Sequence, residues 1–272
     1  DEGPFAITHG PCLQSPGTTE VTVTWHTNRA GVSRVVYHEG NGPEQTAVTS
    51  KAGLIPNDST CHAVCLSGLK PGATYKYKVV TREFIKYKTP YKVEFGETVE
   101  SEPLTFTTLA PDKNSYSFVM WNDVHDNSKR LQAMFNDISW SGVDFVVLNG
   151  DILNDFVTPE QPFRGFYDAI VSQFAKTTPM VFVRGNHETR GPVARRMADF
   201  FPGQGGRYYW SFDHGPAHFV VLDSGEDKPD TNEEYAGLVD FARYRVEQTE
   251  WLRADLASEA ARKAKFRIVL SH

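Results

Sequence analysis

Four short polar clusters, each following an apolar run, carry the residue types that hold cations. They are Asp123-Val124-His125, then Gly150-Asp151 with Asn154 and Asp155 after it, then Gly185-Asn186-His187-Glu188, and finally His272 after Phe266–Leu270. A carboxylate and an imidazole two residues apart can face one cation. A second carboxylate, with two oxygens and a full charge, can bridge two. An amide carbonyl and a further imidazole suit the second cation. Mixed nitrogen and oxygen donors favour Zn, Mn or Fe over Ca or Mg. Glycine before Asp151 and before Asn186 lets the backbone turn sharply. Taken singly, an Asp or His at a strand end is more often a cap or a surface group than a ligand. The order and company of these clusters reverse that reading.

The elements that must position them change character near Leu109-Ala-Pro-Asp112. Before that point the pattern has period two. Val21, Val23 and Trp25 alternate with Thr22 and Thr24, which predicts a half-buried strand. Ser33-Arg-Val-Val-Tyr37, Thr74-Tyr-Lys-Tyr-Lys-Val79 and Leu104 to Thr108 predict others, and no helical stripe appears before residue 110. Residues 82–102 read as an extended hairpin. Leu69-Lys-Pro-Gly-Ala-Thr-Tyr75 resembles the tyrosine corner of immunoglobulin-like sandwiches.

After residue 112 strands alternate with helices. Tyr116–Trp121 is expected as a buried strand, followed by a helical face of Leu131, Met134, Phe135 and Ile138. Asp144–Leu148 is the next strand. Phe166, Tyr167, Ile170, Val171 and Phe174 form a second helical face before the strand Met180–Val183. Tyr208–Phe212 and His218–Leu222 pair. A helix around Gln248, Trp251, Leu252 and Leu256 precedes the last strand, Phe266–Leu270. Such βα alternation implies a mostly parallel sheet. In such sheets ligands bind beyond the carboxyl ends of the strands, which is where the four polar clusters lie.

This ordered series resembles the calcineurin-like metallophosphoesterases: Asp-x-His, Gly-Asp, Gly-Asn-His-Glu, and a strand ending in His. Asp123 and Asp151 are 28 residues apart, and Asp151 and Asn186 are 35 apart. The first segment, opening on Gly10-Pro-Cys-Leu-Gln14, resembles a fibronectin type III module of the purple acid phosphatase N-terminal kind. The expected fold is therefore an all-β sandwich over residues 1–110 followed by an α/β phosphoesterase domain over 111–272. In that domain a ββ-sandwich is flanked by helices.

The resemblance implies two divalent ions (Mn, Zn or Fe) and hydrolysis of phosphate monoesters or diesters by a hydroxide bridging them. It implies that Asp123 and His125 bind the first ion, that Asp151 bridges, and that Asn186 and His272 bind the second. His187 would face the phosphoryl group. Asn154 stands where many relatives carry an aspartate that orients this histidine, so its carboxamide is expected to do so here. Arg184 and Arg190 could meet substrate phosphate, and Asp223 could lie near it. Glu188 is expected to tether its loop. Purple acid phosphatases have a tyrosine at the position of Asn154 and no imidazole at that of His125, so a purple iron site is not expected. The family's Gly-His-x-His motif is not in the sequence, which makes the expected catalytic domain incomplete and its metal affinity weak. The rival reading is a non-catalytic cell-surface binding protein with a degenerate phosphoesterase domain.

The resemblance implies a small phosphorylated substrate, and bulk properties do not oppose it. The net charge of −6 argues against a nucleic-acid platform, but not against an anion bound through cations. No apolar run approaches the roughly 20 residues of a membrane span. The opening Asp1-Glu2-Gly3-Pro4 has no leader pattern. The resemblance points to a secreted, periplasmic or surface-anchored protein whose leader has been removed. Oligomeric state is not legible. Cys12, Cys61 and Cys65 are an odd set. They are expected as small buried residues, with Cys61 and Cys65 too far apart on one strand to pair.

Overall fold

In the computed structural model, which describes residues 3–272, the chain forms two compact units. One runs to Thr108 and takes in Ile170–Pro179; the other comprises Leu109–Ala169 and Met180–His272.

The first unit is built of strands alone up to Thr107. Strands β1 (Ile7–Gln14), β2 (Val21–Thr27) and β5 (Cys61–Leu66) pair antiparallel in the order β5-β2-β1. Strands β3 (Gly31–Glu39), β4 (Gln45–Ala47), β6 (Thr74–Thr89) and β7 (Lys92–Glu100) form a second sheet, and β8 (Leu104–Thr107) pairs with β6. Strands β6 and β7 are the extended hairpin that residues 82–102 suggest. Leu13, Val23, Trp25, Val35, Tyr77, Val79 and Phe106 make one apolar core between the sheets. The indole Nε1 of Trp25 donates to Thr81 Oγ1 at 2.8 Å, so its polar edge is satisfied. The tyrosine corner is present: Lys70 N donates to Tyr75 Oη at 2.9 Å.

Two expectations need correction. Strand β2 is buried along its whole length rather than on one face. Its threonines are hydrogen-bonded instead of solvated; Gln14 Nε2 donates to Thr24 Oγ1 at 2.7 Å. Nor are all three cysteines buried: Cys12 is, but Cys65 is exposed.

The second unit holds two sheets. Strands β9 (Ser117–Trp121), β10 (Val143–Asn149) and β11 (Met180–Val183) run parallel, with Val146 opposite both Val119 and Met180. Strand β12 (Trp210–His214) pairs antiparallel with β13 (Ala217–Val221), and β13 parallel with β14 (Phe266–Leu270). Their facing side chains, among them Phe145, Val147, Val181, Val183, Phe212, Phe219 and Leu270, form one core. Phe145 meets Phe212 and Phe219 edge-on at 5.4 Å. Strand β9 is not the buried strand expected: Met120 is 48% exposed, because β9 pairs only with β10. Helix Ser128–Phe135 buries Leu131 and Phe135 and ends before Ile138. The stretch 163–175 is helical, with wider π turns on both sides of Asp168–Ile170. Among the described residues no helix is long and apolar enough to cross a membrane.

Candidate metal centre

Strands β9, β10, β11 and β14 all deliver their carboxyl ends to one place. Beyond β9, Asp123 N donates to Gly150 O at 3.1 Å and His125 N to Asp151 O at 3.0 Å, which zips the first loop to the second. The backbone is bent hard here. Asp123, His125, Asp126 and Asp151 all have positive φ, between 48° and 61°. Each such residue costs on the order of 1–3 kcal/mol unless its surroundings compensate.

Part of that compensation comes from Glu188, which is fully buried. One carboxylate oxygen accepts from Asp151 N at 3.0 Å and from Gly185 N at 2.8 Å; the other accepts from Leu153 N at 2.9 Å. Burial pushes the Glu188 carboxyl above its ordinary range, while these three N–H bonds pull against it. The two glycines serve different ends. Gly150 has φ +82°, and a Cβ there would sit 2.4 Å from His272 Cγ. Gly185 needs no special φ; a Cβ would lie 2.3 Å from Asp151 Oδ1, so its role is room for that carboxylate.

Asp151 stands at the centre, 5% exposed. Donor atoms of Asp123, Asp151 and His272 lie within 4.8 Å of one another, and so do those of His125, Asp151 and His187. His272 Nδ1 donates to Asn149 O at 2.8 Å, which leaves Nε2 facing Asp151 Oδ2 at 3.1 Å. In the neutral ring that is a lone pair against a carboxylate, an arrangement a cation between them satisfies. An imidazole whose other nitrogen donates to a backbone carbonyl is also the usual support of a metal-ligating histidine. His125 Nε2 is 3.5 Å from Asp123 Oδ1, and its Nδ1 is buried without a hydrogen-bond partner. Asp123 is held below the usual carboxylate range, first by the Asn122 amide, which donates to it. The Asn186 amide is 3.3 Å from Asp151 Oδ1 and 2.9 Å from Arg190 Nη2, with its nitrogen turned to the carboxylate. The donor set therefore fits divalent cations.

His187 differs from the other two histidines. Its Nδ1 meets the backbone carbonyl of Asn154, and its Nε2 lies 3.2 Å from Arg190 Nη1. Nδ1 is thus the donor, and the Nε2 lone pair accepts from the arginine while standing 3.8 Å from Asp151 Oδ2, so Nε2 serves the cluster only when Arg190 turns away. Asn154 meets the ring through its main-chain carbonyl and not, as expected, through its carboxamide, and the residue is exposed.

With this geometry in view, the comparisons are direct. Residues 116–272 match the calcineurin-like phosphoesterase family. The chain belongs to that family. Residues 11–108 match the purple acid phosphatase N-terminal domain. The chain is 25% identical over 257 residues to acid phosphatase type 7 of Mus musculus, covering 91% of this chain and 53% of the relative. It is 22% identical over 239 residues to the probable purple acid phosphatase 20 of Arabidopsis thaliana, covering 82% and 51%. It thus spans about half the length of the curated relatives it matches. Among solved structures, a purple acid phosphatase from yellow lupin (Lupinus luteus) seeds superposes with a TM-score of 0.61 at 19% identity, covering 96% of this chain and 50% of that one. PhoD does so with 0.52 at 15%, covering 97% and 62%. At these identities the likeness concerns the fold.

Within this calcineurin-like domain the two arginines are more committed than their spacing suggests. Arg184 pairs with the fully buried Asp223 at 2.7 Å and lies 4.7 Å over the Tyr208 ring. Burial pushes the Tyr208 hydroxyl up to about 12. Asp223 is locked by Gln248, which accepts from Asp223 N at 2.7 Å and donates to its carbonyl at 2.9 Å. That explains the polar residue buried on helix Phe241–Leu256. Arg190 makes a two-pronged pair with Glu226, both bonds 2.9 Å. Thr189 and Tyr235 also donate to Glu226. Burial opposes ionisation of Glu226, but these partners, Arg190 first, outweigh it and hold the carboxyl below its usual range. No motif or spacing marks Glu226 in the sequence; only the fold brings it to Arg190.

Proposed function

We propose that the full-length protein hydrolyses phosphate esters at this cluster, with Asp151 as the carboxylate shared by two cations. The observation that carries the reading is that buried Asp151 belongs to both three-donor groups. The grouping departs from the expected pairing: Asp123 and His272 would hold one cation beside Asp151, and His125 the other, with Asn186 joining only once its amide oxygen leaves Arg190; mixed donors of this kind suit Mn, Zn or Fe. Bound cations would neutralise phosphoryl oxygens and acidify a nearby water. In the net reaction the ester P–O bond breaks, water supplies the new oxygen on phosphorus, and the alcohol leaves with a proton. His187 Nε2, 3.8 Å from Asp151 Oδ2, is the ring atom turned to the cluster and the one to exchange that proton. Arg190 Nη1 beside it would meet a phosphoryl oxygen arriving there. With Asn154 in place of tyrosine, the site would not be purple. A secreted, periplasmic or surface-anchored setting belongs to the same proposal and rests on family resemblance.

The test is hydrolysis of p-nitrophenyl phosphate and bis(p-nitrophenyl) phosphate by the full-length protein supplied in turn with Mn, Zn and Fe, with metal content measured alongside. The ratio of the two rates decides between monoester and diester. Asp151→Asn is expected to lower both metal content and turnover by about 100-fold or more. Unchanged metal content and turnover in that variant would sink the reading. Metal bound without any turnover would favour a binding protein on a phosphoesterase scaffold.

A further inference from the structure

Beside Arg190 the surface opens into a cavity of about 340 Å³, lined in part by Thr189, Pro192, Arg195, Tyr235 and Leu238. A second cavity, of about 430 Å³, shares Thr189, Arg195 and Leu238 with it and runs on to Arg184 and Tyr208. The first begins at the guanidinium that touches His187. An ester with its phosphoryl group at His187 therefore has room there for its alcohol part, and volumes of a few hundred Å³ suit small organic groups.

The charges around this space are nearly all matched. Glu226 is held by Arg190 at 2.9 Å, Glu234 by Lys228 at 3.2 Å, Asp240 by Arg243 at 2.9 Å, and Asp223 by Arg184 at 2.7 Å. Arg195 is the exception. Its Nη2 donates to the carbonyl of Leu238 at 2.9 Å, and no carboxylate among the described residues pairs with it. The bland account is a solvated surface arginine. Against it, Arg195 is tied by a hydrogen bond to the wall the two cavities share, its other N–H groups are unspent, and the acidic residues that line the cavities, Glu226, Glu234 and Asp240, each have a cationic partner. An incoming anion would meet a positioned donor and little repulsion.

We propose that the cavity beside Arg190 receives the alcohol part of the phosphate ester, and that Arg195 selects alcohol parts carrying a second anionic group, a phosphate or a carboxylate. This rests on the phosphoesterase reading above.

Three esters of one size separate the possibilities: phenyl phosphate, 4-carboxyphenyl phosphate and 1,4-phenylene bisphosphate, each assayed on the metal-supplied full-length protein. In the wild type, kcat/KM for the anionic esters is expected to exceed that for phenyl phosphate. In Arg195→Ala the ratio of anionic to neutral ester is expected to fall about tenfold, mainly through KM, with Arg195→Lys in between. Loss for one ester alone tells carboxylate from phosphate recognition. A ratio unmoved by Arg195→Ala overturns the inference. Calorimetry with inorganic pyrophosphate and inorganic phosphate reads the same residue without turnover. Arg195→Ala should weaken pyrophosphate about tenfold more than phosphate, and equal effects count against the proposal. Hydrolysis of none of the esters by the wild type would instead strike the phosphoesterase reading, and the pyrophosphate comparison would still decide Arg195.

Discussion

In the β-sandwich of the first unit, the polar edges of core residues meet partners of the opposite kind: Trp25 Nε1 with Thr81, Gln14 with Thr24, and the Lys70 amide with Tyr75. At the strand ends of the second unit, cation-binding atoms face one another instead, as with His272 Nε2 and Asp151 Oδ2 at 3.1 Å. The backbone shows the same contrast. Among the described residues of the first unit's strands and turns, only Ser15 and Ala52 are non-glycine residues with positive φ, whereas Asp123, His125, Asp126 and Asp151 crowd into one site. The sandwich is arranged for stability. The strand-end loops hold an arrangement that is unfavourable on its own, and the framework behind them keeps it in place.

The largest expected effect sits in that framework. Glu188→Ala strands three buried N–H groups, and each unsatisfied group costs about 1–3 kcal/mol. Denaturant unfolding should show a loss upwards of about 3 kcal/mol, together with lost metal binding. A loss under about 1 kcal/mol would mean that the loops are held some other way. The counterpart in the sandwich is milder. Trp25→Phe keeps an aromatic ring but removes the indole donor to Thr81 and leaves a small void, and should cost about 1–3 kcal/mol with metal content unaltered. A change in metal content would break the contrast between the two regions.

A smaller effect depends on pH. His218 lies buried between Asp213, 2.7 Å from Nδ1, and Asp255, 2.9 Å from Nε2. Burial lowers its pKa, but the two carboxylates, Asp255 first, outweigh burial and the net shift is upward. A raised folded-state pKa means that the stabilisation is fully present below the unfolded value of about 6.5 and is lost as pH rises through the folded one. The melting temperature of His218→Gln should therefore trail the wild type at pH 5 and approach it in alkali. A constant gap across pH would contradict the ion-pair account. The smallest effect belongs to Asn154→Ala. Since the backbone carbonyl holds His187, turnover should stay within about twofold and the pH–rate profile should not move. A marked drop would return the orienting role to the carboxamide.

Much of this fold is legible in the residues because periodicity reports local geometry. The alternation through Val21–Trp25 and the apolar runs ending at Asn149 and Val183 mark their strands directly. The cluster of Asp123, His125, Asp151, Asn186 and His272 is legible because each follows a strand whose end the topology fixes. What the residues do not announce is which atom of a residue acts, or what long-range partner it meets. Asn154 works through its carbonyl, which every residue possesses. Arg184 and Arg190 look available to substrate until Asp223 and Glu226, 39 and 36 positions away, are folded against them. The exposure of Met120 is not legible, because an apolar run does not say what covers each face of an edge strand.

The grip of Glu188 has a mechanical consequence. Because a single oxygen of Glu188 clasps the amides of both Asp151 and Gly185, a ligand that pulls one loop outward must drag the other by a similar distance. The pocket floor then has few soft modes. Inhibitors and substrates will have to conform to it, and whatever adaptability the protein retains must come from the walls.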